Sequence, residues 1–148
     1  MDIIKIRFGK RFQDIHEHIQ RLMDEMLSIN RPFLTTNTSS WLPDADIYET
    51  DREYIIVLNL AGVRKEDIEV FLYEDYLYIR GIRYQPIKTT DVIRYHQLEL
   101  PYGRFERAFR IPLSVDKNSI EAIWMDGLLM IRMRKQAPVS RNIRVEVR

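Results

Sequence analysis

At 148 residues with 45% hydrophobic content, the chain is long enough for one domain with its own core plus short appendages. Lys and Arg number 23 against 22 Asp and Glu, a net charge of +1, which leaves no overall field to steer the protein to nucleic acid or to an anionic membrane. The absence of cysteine excludes disulfides, thiolate nucleophiles and cysteine-ligated zinc, and fits a reducing compartment.

The first region runs to about residue 42. Its opening, "MDIIKIRFGKRF", is apolar only in short pieces broken by charges. No later run approaches the ~20 residues of a membrane span, so a cytoplasmic protein without a membrane span is expected. Asn37, Thr38 and Ser39 match a glycosylation acceptor, but no secretory signal accompanies them. Ile15, Ile19, Leu22, Met26 and Ile29 follow one another at helical spacing, with Met23 widening the stripe, so residues 14–29 are predicted to form an amphipathic helix. Two readings stand side by side: a helix packed on the main domain, or an interaction segment whose apolar face meets partners. Beyond it Pro32 and a cluster of Thr, Asn and Ser interrupt any regular pattern, leaving Phe33, Leu34 and Trp41 as isolated apolar anchors.

From about 43 to 135 the pattern becomes that of strands. "DIYE", "EYIIVLNL", "DIEVFLYE", "YLYIRGIR", "RFERAFRIP", "IEAIWM" and "LLMIRMR" are rich in branched and aromatic residues and are separated by turn signals. Asp51 with Arg52, Glu74 with Asp75, and Asp126 with Gly127 lie between neighbouring strands, the last being the strongest hairpin signal in the chain. Such a series predicts an antiparallel β-sandwich, in which two sheets cover each other's apolar faces. The connection from 84 to 103 is too long for a plain loop, and "VIRYHQLEL" within it reads as a further strand reaching outward to pair.

The third region, 136–148, begins at "QAPVS" and ends in Ile143, Val145 and Val147 alternating with charged residues. An alternating strip of this kind fits an added strand on another surface, an assembly latch, or else an edge strand folded back on its own domain. Burying two branched side chains contributes roughly 3 to 6 kcal/mol, against about 1 to 2 kcal/mol for each backbone residue ordered. A single tail therefore binds weakly, and many tails in one assembly hold through effective concentration.

Catalytic chemistry finds little support. The five glycines are spaced too widely for a phosphate-cradling loop. His16 and His18 point in different directions on the predicted helix, and His96 has no serine or acid at a recognisable spacing. No catalytic, metal or cofactor site is expected. In "GRFERAFRIP", alternation puts Arg107 on one face with Phe105, Phe109 and Ile111. A cation among aromatics needs a partner, either an intrachain ion pair at the rim of the sandwich or a contact across a dimer.

These motifs resemble those of the small heat-shock proteins, the α-crystallin-domain family, over about residues 43–148. "AIWMDGLL", residues 122–129, is similar to the family pattern of Ala, three variable residues, a small polar position, Gly, an aliphatic residue and Leu. "PDADIYETDREYIIVLNLAGVRKEDIEV" resembles the opening strands of the domain, with Ala61 where many members carry proline. The resemblance implies an all-β, immunoglobulin-like antiparallel sandwich over 43–135, with a partly helical N-terminal arm (1–42) and an extended C-terminal tail (136–148).

It further implies that Arg107 is the dimer-interface arginine and that Tyr95, His96 and Leu98 belong to a strand exchanged between subunits. The tail motif, Ile143 with Val145 or Val145 with Val147, would dock between strands at Ile68, Val70 and Leu72 and at Ile120, Ala122 and Trp124. The function implied is an ATP-independent holdase. Phe8, Phe12, Ile15, Ile19, Leu22, Met23, Met26, Phe33, Leu34 and Trp41 would cover apolar surface on unfolding clients, with methionine suited to promiscuous contacts. Expected partners are those clients, further copies of the chain as dimer and larger homo-oligomer, and ATP-dependent chaperones downstream. The alternative is an oligomeric scaffold for one native partner, and a hydrolase using His96 is a third, unsupported class.

Overall fold

The computed structural model describes residues 2–8 and 40–137. The predicted helix, Phe12, Phe33 and Leu34, and the tail motif at Ile143, Val145 and Val147 lie outside the described residues. The described strands are β1 (Asp2–Ile4), β2 (Ile6–Phe8), β3 (Ser40–Trp41), β4 (Ala45–Glu49), β5 (Glu53–Asn59), β6 (Ile68–Tyr73), β7 (Tyr76–Arg83), β8 (Gly103–Arg110), β9 (Glu121–Met125) and β10 (Leu128–Arg134). They form two five-stranded sheets, ordered β1-β9-β10-β5-β4 and β2-β6-β7-β8-β3. Neighbours pair antiparallel except β2 on β6 and β3 on β8, which are parallel.

The sandwich follows from period-two alternation, which sends every second side chain to one face. Ile68, Val70 and Leu72 of β6 are buried between half-exposed Glu69, Phe71 and Tyr73. Leu129, Ile131 and Met133 of β10 do the same opposite them, and with Ile56, Leu58, Leu77, Ile79, Phe105 and Phe109 they make one continuous core. The hairpins turn where the sequence places them. Asp126 and Gly127 hold φ of 52° and 80°, the pair of left-handed residues that a two-residue turn between twisted strands requires. At the β4–β5 turn the Thr50 hydroxyl accepts from the Arg52 and Glu53 amides at 3.2 and 2.9 Å.

Gly81 is fixed by space. A Cβ there would stand 2.2 Å from the Asp67 carbonyl oxygen and 2.6 Å from the Phe105 ring, so β7 crosses beneath the segment before β6 only without a side chain.

Two expectations need correction. Residues 92–100 form no strand within the single chain; they are irregular and largely exposed, after one turn of 3-10 helix at Thr89–Asp91. The physical reason is that β7 and β8, which flank this connection, already pair with each other and offer it no free edge. The N-terminal "DIIKIRF", expected to belong to a loosely patterned arm, instead supplies two strands to the sandwich.

Candidate docking groove and subunit interface

The residues expected to form a docking groove converge on one side of the sandwich, where the β6 edge of one sheet faces the β9 edge of the other. Ile68, Val70, Leu72 and Ala122 are buried, and Ile120 and Trp124 pack half-buried against the same core. This is a strip of branched and aromatic side chains flanked by two strand edges, the arrangement that accepts an added strand.

In this structure the chain's own N-terminus fills it. β1 runs antiparallel to β9 in the register Asp2 with Trp124, Ile3 with Ile123 and Ile4 with Ala122. After Lys5, β2 runs parallel to β6 with Ile6 opposite Val70, Arg7 opposite Phe71 and Phe8 opposite Leu72. Ile4 keeps only 7% of its surface exposed, Ile6 packs against the core, and Ile3 faces outward at 71%. Asp2 reaches Lys65 at 3.8 Å, with both side chains in contact with water. The usable signal in the sequence was the Ile4, Lys5, Ile6 alternation, too short for a strand to be assigned by pattern alone.

The opposite side of the second sheet carries the expected interface arginine. Arg107 donates from Nη1 to the Pro43 carbonyl at 2.6 Å, and its guanidinium lies 4.9 Å from the centre of the Phe109 ring. Among the described residues its partners are thus a carbonyl and an aromatic face, and no ion pair joins it there. Burial lowers its pKa, opposed by the charge of Asp44, and the guanidinium stays charged at any ordinary pH. Its Nε is buried without a partner among the described residues, as is that of Arg83.

Arg83 stacks 3.8 Å from the centre of the Trp41 ring and donates to the Pro101 carbonyl at 3.1 Å. Trp41 in turn donates from Nε1 to the Gly103 carbonyl at 3.0 Å and meets Phe105 edge-on at 5.3 Å. Trp41 is one of the apolar anchors expected to contact clients. It is instead held in the fold, because β3 pairs with β8 and the indole closes the end of the core. Phe8 lies in β2, opposite Leu72.

Tyr95, His96 and Leu98 sit on the irregular connection, exposed, with Tyr95 at 53% and Leu98 at 68%. No hydrogen bond or ion pair between described residues joins them to Arg107, so one chain does not assemble the four-residue interface. Among the described residues no group of three His, Asp or Glu is placed to hold a metal ion.

The sequence matches the Hsp20/alpha crystallin family over residues 46–148. It is 26% identical over 132 residues to small heat shock protein C2 of Rickettsia felis, covering 87% of this chain and 85% of that protein. Spore protein SP21 of Stigmatella aurantiaca is 30% identical over 131 residues, covering 86% and 77%. Among solved structures, a small heat-shock protein from Xylella fastidiosa, described as having a distinct high order structure, superposes with a TM-score of 0.63 at 30% identity, over 73% of this chain and 97% of that one. This chain belongs to the Hsp20/alpha-crystallin family of small heat-shock proteins. β1 and β2 precede the region matched by the family model.

Proposed function

We propose that the protein is an ATP-independent holdase of the cytoplasm, working as a homo-oligomer that binds partly unfolded proteins and keeps them soluble under stress. Family membership gives the chaperone class. The single observation that carries the assembly half of the reading is the connection at 84–102, which presents Ile93, Tyr95, Leu98 and Leu100 to solvent with no strand partner among the described residues. An apolar, strand-like segment of this kind gains most by adding to a second copy. Tyr95, His96 and Leu98 then pair across a dimer whose other face carries Arg107. Larger assemblies form when the tail residues Ile143, Val145 and Val147 dock at the β6 and β9 edges.

Clients are met by the N-terminal apolar residues, Phe12, Ile15, Ile19, Leu22, Met23, Met26, Phe33 and Leu34, whose surface is released as assemblies loosen. Bound clients pass to ATP-dependent chaperones. No nucleotide enters this scheme, because the driving force is apolar surface on the client and a shift among assembly states. The test is to heat an unrelated enzyme with the protein and separate the mixture by size: a soluble joint complex supports the reading. Client found only in the pellet, with the protein eluting alone, overturns it.

A further inference from the structure

The groove at the β6 and β9 edges is already occupied, and its occupant has the same pattern as the tail. Ile4, Lys5 and Ile6 place branched side chains two residues apart with a charge between, as do Ile143, Arg144 and Val145, and Val145, Glu146 and Val147. Ile4 stands opposite Ala122 and Ile6 opposite Val70, so the two side chains sit on the two walls of the groove while Lys5 remains in water.

We propose that residues 2–8 are an intrachain plug: they occupy the groove in competition with the C-terminal tail, and their release sets how many grooves are open to tails. This rests on the reading that the tail docks there.

Three observations carry the competition. A strand edge pairs with one strand at a time, and β1 and β2 use the β9 and β6 edges together. The side-chain positions are likewise exclusive, since Ile4 is nearly buried and Ile6 packs on the core that a tail residue would need to reach. The plug is also lightly held. Each of its strands is three residues long, Ile3 is 71% exposed, and the ion pair from Asp2 to Lys65 is 3.8 Å long and exposed to water. A tethered ligand with few contacts owes its occupancy to effective concentration, so it yields to tails that are themselves concentrated in an assembly. Each plug displaced is thus exchanged for one docked tail.

The experiment uses a fluorescent peptide of residues 138–148 and the full chain carrying Ile143→Ser, Val145→Ser and Val147→Ser, so that its own tail does not compete. The same chain with Ile4→Ser and Ile6→Ser added is expected to bind the peptide at least tenfold more tightly. Ile4→Ala alone, a smaller truncation that keeps the chain closer to its native packing, is expected to give a gain between the two. Equal affinity for plugged and unplugged chains overturns the plug while leaving tail docking intact. A peptide that binds none of them, although each chain melts cooperatively, overturns tail docking in this groove and the plug with it.

Discussion

Arg107 donates to the Pro43 carbonyl across the end of the second sheet at 2.6 Å, tying β8 to the segment that leads into β4. A guanidinium bonded to a carbonyl and laid over Phe109 stabilises the single chain whatever it does in a dimer. Arg107→Gly is expected to cost about 1.5 to 3 kcal/mol, the range for hydrogen bonds involving a charged group, and to weaken subunit pairing. Chemical denaturation and native mass spectrometry of the same variant separate the two effects. Stability lost with dimer affinity unchanged would confine Arg107 to the fold.

Gly81→Ala is expected to destabilise strongly, because the added methyl would stand 2.2 Å from the Asp67 backbone oxygen and 2.6 Å from the ring of fully buried Phe105. Overpacking of this kind typically costs about 1 to 3 kcal/mol. Gly127→Ala fails for a different reason, the left-handed φ of 80°, at about 1 to 2 kcal/mol. Thermal unfolding of the two variants is expected to put Gly81→Ala at or below Gly127→Ala in melting temperature.

The Lys117 ammonium lies 2.7 Å from Asp75 and holds its carboxyl below the usual aspartate value of 3.8. A carboxylate whose folded pKa is depressed contributes stability that is present above its unfolded pKa. That contribution is lost as pH falls from about 3.8 through the lower folded value. Unfolding midpoints measured from pH 6 down to pH 2 are expected to fall less steeply for Asp75→Asn than for the unaltered chain. Parallel curves would mean that the pair contributes nothing in solution.

A chain ending at Gln136 keeps every described strand and loses the tail motif. Its assembly is expected to fall to dimers by light-scattering mass, with the melting temperature of the sandwich little changed. An unchanged large assembly would mean that the tail does not hold it together.

Most of the sandwich was legible because alternation and turn chemistry are local. "YLYIRGIR" and "LLMIRMR" coincide with β7 and β10, and Asp126 with Gly127 forms the expected turn. What escaped depends on partners distant in sequence. "VIRYHQLEL" has strand composition but no free edge to join within one chain, so it is irregular there. "DIIKIRF" is too short and too charged to be assigned by itself, and becomes two strands only because β6 and β9 leave edges beside a half-open core. Ile68, Val70 and Leu72 lie on β6, Ala122 and Trp124 on β9 and Ile120 just before it; that the N-terminus covers them is a tertiary fact with a faint local signal.

Holdase activity is tested most simply by light scattering from an unrelated enzyme unfolding on heating, with increasing amounts of this protein and no nucleotide. Scattering is expected to be suppressed at near-stoichiometric ratios, and added ATP to leave the suppression unchanged. Scattering that rises as fast with the protein as without it, across a range of temperatures, would contradict the holdase reading and leave a small heat-shock fold acting as a scaffold for one native partner.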